Sequence, residues 1–247
     1  MMLKGKTAIV TGASGKLGAQ IALALANAGC KCVCHWNKNE SHVKTLLDEI
    51  HRLNGLAIAV QADLTTQAGI DDLFEKTLEI GIPQILVNSA AIFKREKLDN
   101  VTFESAEELL RINLVSPIVV TRQFAKIIHE NFQNKNETVA KIINITDIAA
   151  LRPWAQYSAY AASKSGLTAA TMSLAKELAP RICVNAVAPG VISFPEWFTP
   201  AEEKRQIAMV PLARKGRPDE IADTVLFLAA NDYITGQVIA VDGGRSI

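Results

Sequence analysis

A tyrosine and a lysine four residues apart, in Tyr160-Ala161-Ala162-Ser163-Lys164, carry the first recognisable chemistry of this chain. In an Ala-rich helical stretch an i, i+4 spacing stacks the phenol and the ammonium on one helix face. An ammonium a few ångströms away favours the phenolate and lowers a phenol pKa that is ~10 when unperturbed. Tyr160 is then a usable general acid toward a carbonyl or an imine. Tyr157 is the competing phenol, but it stands seven residues from Lys164, two helical turns away. The pattern is common in isolation. Its weight here comes from following a β-strand and a Gly-rich loop.

That loop is Thr11-Gly12-Ala13-Ser14-Gly15-Lys16-Leu17-Gly18, between an apolar strand and an Ala/Leu-rich helix. Glycines let the backbone approach a pyrophosphate, whose charge meets the free N–H groups of the helix N-terminus. The spacing is not Gly-x-Gly-x-x-Gly, and a ligand-free βα turn is the plain alternative. A carboxylate at the end of the second strand would bind the ribose 2′-OH of NAD, whereas a cation there would take the 2′-phosphate of NADP. The chain reads Cys34-His35-Trp36-Asn37-Lys38-Asn39, with no acid before Glu40, and Lys16 adds a second ammonium. Solvated surface lysines are the bland reading; their joint position favours NADPH.

The elements that must hold these residues follow from periodicity. Strands are expected over 7–11, 31–36, 56–61, 84–88, 141–146, 182–188 and 237–241, and helices over 17–28, 41–54, 67–80, 103–114, 116–131, 156–178 and 219–229. Regular βαβ alternation predicts an α/β fold: a doubly wound, Rossmann-type parallel sheet of seven strands with helices on both faces. One domain over 1–247 is expected, with a possible substrate lid at 190–216, where Pro195, Pro200 and Pro211 interrupt the pattern. Ligands of such sheets lie beyond the carboxyl ends of the strands.

At 49% hydrophobic and 21% charged the chain has ample core material, and a net charge of +1 leaves no electrostatic footprint for nucleic acid or an anionic membrane. Cys30, Cys32 and Cys34 alternate along the second strand, which points them to one face some 6.5–7 Å apart, poor geometry for a disulfide or zinc. Buried structural thiols are expected, and no metal. Reduced thiols, with Lys4 and Lys6 interrupting any leader-like apolar run, fit a cytoplasmic protein. No segment reaches the ~18 apolar residues of a membrane helix.

Taken together, the motifs resemble the short-chain dehydrogenase/reductase family over nearly the whole length. The matching residues are Thr11-Gly12 with Gly18, Ala62-Asp63-Leu64, Asn88-Ser89-Ala90-Ala91, Asn113, Tyr160 with Lys164, Val184-Asn185, Pro189-Gly190 and Val241-Asp242-Gly243-Gly244. The resemblance implies a cofactor site built from the loop residues Gly12, Ser14, Lys16, Leu17 and Gly18, from Trp36, Asn37 and Lys38, from Asp63 and Leu64 beside the adenine, from Asn88 and Ala90 near the ribose, and from Pro189, Gly190 and Ile192. It implies Tyr160 as proton donor, Lys164 as the group that binds the nicotinamide ribose and lowers the tyrosine pKa, and Asn113 as holder of a relay water. It also implies a homotetramer. Asn113 as a helix-bending polar residue and Asp63 as a helix cap remain the structural alternatives.

Two departures narrow the substrate. Lys16 stands where the family usually has glycine, and Asp147, thirteen residues before Tyr160, stands where it usually has serine. A hydroxyl donates to a carbonyl; an ionised aspartate only accepts. Asp147 must be protonated, or must face a substrate with N–H donors or a cationic intermediate, and its charge would oppose the effect of Lys164 on Tyr160. Both departures, with His35-Trp36-Asn37-Lys38, are similar to the pteridine reductase branch, including the bacterial dihydromonapterin reductase type. That likeness implies a pterin stacked on Phe93 and a cover supplied by Trp197 in Phe194-Pro195-Glu196-Trp197, although Phe93 as a core residue and Trp197 at a subunit contact stay open. The leading expectation is an NADPH-dependent reductase of a small-molecule pterin C=N. The alternatives are a 3-oxoacyl-[acyl-carrier-protein] or other carbonyl reductase, and a non-catalytic NADP-binding protein.

Overall fold

The computed structural model describes residues 1–134 and 136–247. Its strands are β1 (Thr7–Val10), β2 (Lys31–Trp36), β3 (Ala57–Gln61), β4 (Pro83–Asn88), β5 (Ala140–Ile145), β6 (Ile182–Pro189) and β7 (Val238–Val241). They form one sheet in the order β3-β2-β1-β4-β5-β6-β7, with every pairing parallel. The reversal of direction falls between β1 and β4, the position at which ligands bind in doubly wound sheets.

Side-chain alternation divides the core into two layers. Ala8 and Val10 of β1, Cys32 and Cys34 of β2, and Ile85 and Val87 of β4 pack with Ile21, Leu25, Val225 and Leu228 of helices α1 (Lys16–Asn27) and α8 (Pro218–Ala230). Ile9, Val33 and Leu86, of opposite parity, pack with Phe74, Phe124 and Leu178 of α3 (Gln67–Leu78), α5 (Ser116–Asn131) and α6 (Ser158–Leu178). Helix α2 (Glu40–Arg52) connects β2 to β3. Cys30, Cys32 and Cys34 are buried free thiols on one face, as their spacing predicts. Burial pushes Cys30 up to about 11 and Cys34 up to about 12.

A row of buried polar groups crosses from β4 to α6. Asn88 Nδ2 donates to Asn144 Oδ1 at 2.8 Å and Asn144 Nδ2 to Thr171 Oγ1 at 2.9 Å. Satisfied groups of this kind fix which strand lies beside which.

Two expectations are corrected. The helix expected over 103–114 ends at Leu110 as α4 (Phe103–Leu110) and runs through a π turn, Arg111–Val115, directly into α5. Pro117 has no N–H for the carbonyl of Asn113, so the regular ladder cannot be kept there. The stretch 190–216 is not all irregular: it contains α7 (Pro200–Ala208). Thr199 caps it and Glu202 closes a capping box, while Pro200 occupies the first turn, where a missing N–H costs nothing.

Candidate active site and cofactor cleft

A cleft of about 1570 Å³ opens over the carboxyl ends of the strands, larger than the ~300–1,000 Å³ of an ordinary small-molecule pocket. Its floor begins at the loop after β1. Gly12 has φ +69, and a Cβ there would stand 2.7 Å from Ala90 Cα, so the β1 and β4 loops touch only because residue 12 is glycine. Thr11 completes the junction, its Oγ1 accepting the N–H groups of Ser89 and Ala90 at 3.0 Å each. At Gly18 a Cβ would fall 2.4 Å from the Gly12 carbonyl oxygen, which lets α1 start directly under the loop.

The loop is also held from β2. Gly12 N–H donates to His35 Nδ1 at 3.1 Å, and His35 Nε2 lies 3.0 Å from the Ala62 carbonyl oxygen. An acceptor at Nδ1 and a donor at Nε2 define the neutral ring with its proton on Nε2. Burial pushes this histidine down to about 4. His35 thus joins the loop after β1 to the end of β3. Parity along β2 and the scarcity of unpaired buried histidines were the available signals.

The residues present fit a dinucleotide with a 2′-phosphate. No side chain caps α1 at Gly15, so its first N–H groups are open to a pyrophosphate. Lys16 and Lys38 line the cleft, and neither forms an ion pair among the described residues. Ser14, Leu17, Asn37, Asp63, Leu64, Ala90, Pro189, Gly190 and Ile192 line it as well. Asp63 also makes the local turn of the structural alternative, its Oδ1 accepting from Thr65 N–H and Oγ1, and those bonds hold its carboxyl below the usual range. Asn88 borders the cleft while its amide is directed at Asn144 and Thr121. Trp36 does not border it: the indole is in the core layer under α1.

At the far end stand Asp147, Tyr160 and Lys164. Tyr160 Oη donates to Asp147 Oδ2 at 2.7 Å, and Asp147 Oδ1 accepts the Ala149 N–H at 2.7 Å. Burial raises the Asp147 carboxyl despite these bonds and the charge of Lys164. Burial first, and then Asp147, push the Tyr160 phenol well above its ordinary 10. This reverses the lowered phenol expected from the sequence: desolvation and an adjacent carboxylate raise it, while the Lys164 Nζ donates to the Ile145 carbonyl at 2.9 Å. Burial takes Lys164 itself down to about 8. Asn113 lies in the π turn, fully buried, its Oδ1 accepting Ile92 N–H and its Nδ2 donating to Ile92 O and Ser163 Oγ. Its side chain therefore fastens the loop that bears Phe93.

Phe93 sets the far wall, with its ring edge-on to Tyr160 at 4.9 Å and stacked with Tyr157 at 5.1 Å. Trp197 is near-parallel to Phe93 at 6.5 Å but lines a separate, adjoining recess. Four further residues at this end, Arg95, Glu96, Gln156 and Glu202, carry no motif in the sequence. Arg95 Nε donates to Gln156 Oε1 at 2.6 Å, Glu96 N–H donates to Gln156 O at 2.8 Å, and Glu202 of α7 lies 3.6 Å from Arg95. Gln156 is held at φ +71, a left-handed conformation that costs a non-glycine residue ~1–2 kcal/mol.

A family model described as Enoyl-(Acyl carrier protein) reductase matches residues 12–246. A 3-oxoacyl-[acyl-carrier-protein] reductase of Synechocystis is 35% identical, over 98% of this chain and 97% of its own. The FolM alternative dihydrofolate reductase 1 of Brucella canis, solved in complex with NADP, superposes with a TM-score of 0.90 at 30% identity, covering 99% of this chain and 95% of that one. A blue fluorescent protein from a metagenomic library, solved with NADPH, superposes at 0.89 with 32% identity and full coverage of both chains, 100% each.

Proposed function

The chain belongs to the short-chain dehydrogenase/reductase family and is an NADP-dependent oxidoreductase, and from that premise we propose that it reduces the C=N bond of a dihydropterin. The observation that carries this reading is the 2.7 Å bond between Tyr160 and Asp147. NADPH, when bound, supplies the hydride. Tyr160 delivers the proton to the ring nitrogen, and a phenol held well above 10 is in the donor form at any physiological pH. Asp147 accepts from the N–H edge of the heterocycle and, when protonated, returns a proton to Tyr160 across the same contact. Lys164 orients the ribose and keeps a positive charge near the acid pair. Phe93 offers the heterocycle an aromatic wall, in which a ring pair contributes ~0.5–1.5 kcal/mol beyond its buried area. The 190–216 stretch, with α7, acts as the lid.

The identity to a 3-oxoacyl-[acyl-carrier-protein] reductase favours a second reading, reduction of a thioester ketone. A carboxylate beside the tyrosine weighs against it, because it repels a developing oxyanion. The enzyme is mixed with NADPH and either dihydrobiopterin or dihydromonapterin, and separately with an acetoacetyl thioester; turnover of the thioester alone refutes the pterin reading. In Asp147→Ser, pterin turnover is expected to fall at least about 100-fold, and an unchanged rate removes the role given to Asp147.

A homotetramer is part of the proposal. Phe103, Val115 and Ile118 on the α4–α5 side, and Phe227 and Tyr233 near the C-terminus, are exposed apolar residues suited to contacts between copies; light scattering measures the state. The four free thiols suit a reducing compartment such as the cytoplasm. No helix among the described residues is long and apolar enough to cross a membrane.

A further inference from the structure

Phe93 is a wall of two cavities. Besides the cleft, it borders a recess of about 350 Å³ whose other lining residues are Lys94, Arg95 and Trp197. The hydride and proton steps use none of these three. The indole of Trp197 and the phenyl of Phe93 face each other at 9° and 6.5 Å, and both are roughly half exposed, at 49% and 41%. A third ring in van der Waals contact with both needs about 7 Å, twice the ~3.5 Å carbon contact distance. That 6.5 Å separates the ring centroids and is an upper limit on the gap, so the two rings must part by at least about half an ångström to admit an aromatic ring between them.

The rim of the recess is cationic, and its two cations differ. Lys94 Nζ is 2.8 Å from Glu96 Oε1, and Ser105 Oγ donates to the other oxygen of Glu96. Arg95 is held from behind, by Nε on Gln156 Oε1 at 2.6 Å, while its forward NH1 meets Glu202 Oε1 only at 3.6 Å. Glu202 has firmer partners, since its Oε2 accepts Thr199 N–H and Oγ1 at 2.9 Å each. Separating Arg95 from Glu202 would leave the guanidinium aimed by Gln156 and the carboxylate fixed in its capping box. An exposed pair at that distance is weak. A carboxylate placed bidentately on the free edge of the guanidinium is a stronger partner.

We propose that this recess is a subsite for an aromatic tail ending in a carboxylate, attached to the substrate ring in the cleft, and that the tail displaces Glu202 from Arg95. The attachment to a pterin rests on the reading given above; the affinity for an aryl carboxylate does not. Arg95 and Trp197 are then specificity residues, distinguishing a tailed pterin from a bare one. Glu202 acts as a resident competitor that keeps α7 docked while the subsite is free.

The test uses the full chain loaded with NADP and a tail fragment without a pterin ring, 4-aminobenzoylglutamate, titrated by calorimetry. Wild type is expected to bind the fragment, Arg95→Gln to weaken it by about tenfold, and Arg95→Lys to fall between, because an ammonium cannot bind bidentately. Glu202→Gln is expected to tighten binding severalfold; glutamine also closes a capping box, so α7 is retained. Kinetically, the ratio of kcat/KM for 7,8-dihydrofolate over 7,8-dihydrobiopterin should fall in Arg95→Gln and rise in Glu202→Gln. No binding by wild type, or binding indifferent to both substitutions, overturns the subsite. Fragment binding that responds to both substitutions, with no turnover of either pterin, keeps the subsite and removes the pterin reading instead.

Discussion

Acidification tests the junction made by His35. The folded chain keeps this ring neutral down to about 4, whereas a free histidine takes its proton near 6.5. Between those values the unfolded chain binds a proton that the folded chain refuses. The fold is therefore at full strength above about pH 6.5 and weakens as pH falls toward 4. From pH 6.5 to 5 the difference is one and a half units at ~1.4 kcal/mol each, or about 2 kcal/mol from one imidazole. Unperturbed carboxylates titrate near ~4, below this window, and a carboxyl raised by burial, as at Asp147, is shared by any variant used as the reference. Urea unfolding of wild type and His35→Gln near pH 7, 6 and 5 isolates the ring. Wild type should start out more stable and lose about 2 kcal/mol more than the variant over the series. Parallel curves for the two proteins would show that His35 is not buried neutral between Gly12 and Ala62, and would refute the reasoning.

The remaining outcomes concern the cleft and the thiols. Lys16→Gln and Lys38→Gln should each raise KM for NADPH about tenfold more than KM for NADH; equal effects on the two cofactors would place the 2′-phosphate elsewhere. In Gly18→Ala the added Cβ meets the Gly12 carbonyl oxygen at 2.4 Å, so the loop must move, and NADPH affinity by fluorescence titration should drop at least about tenfold; unchanged affinity contradicts the loop geometry. Cys30, Cys32 and Cys34, all buried with thiols raised by burial, should resist a thiol-reactive dye near pH 8 in the native protein and react on unfolding. Fast labelling of any of the three in the native state would show that the layer under α1 is open.

Much of this arrangement was legible because it rests on short-range periodicity. The alternation that sends Ala8 and Val10 one way and Ile9 the other is written in β1 itself, and the Tyr160–Lys164 spacing follows from one helical turn. Trp36 is instructive because the same rule places it correctly: residue 36 shares parity with Cys32 and Cys34 and packs with them, so the family resemblance that set it beside the cofactor was the weaker guide. The prolines of the 190–216 stretch read as breakers, yet Pro200 begins a helix, and Thr199 and Glu202 were its visible caps. What the sequence did not disclose depends on partners far along the chain. The amide of Asn113 is turned toward Ile92 and Ser163, and Gln156 is held left-handed by Arg95 and Glu96. The phenol of Tyr160 rises because its helix presses it against Asp147 in a dry site, an effect of burial that no local pattern encodes.

The strand order also sets a timetable for synthesis. β1 is made first but lies between β2 and β4, so Thr7 cannot meet its partner Pro83 until α3 has been completed. Parallel strands need a full crossover before they can pair, and such non-local pairing is slow. The cleft draws on residues from Thr11 to Arg245, so a nascent chain has no finished nucleotide site, and its apolar central strands wait with an open edge during elongation. NADPH then acts on the finished fold by mass action, draining the population that reopens. Cells short of NADPH would accordingly hold this protein at lower abundance as well as lower activity.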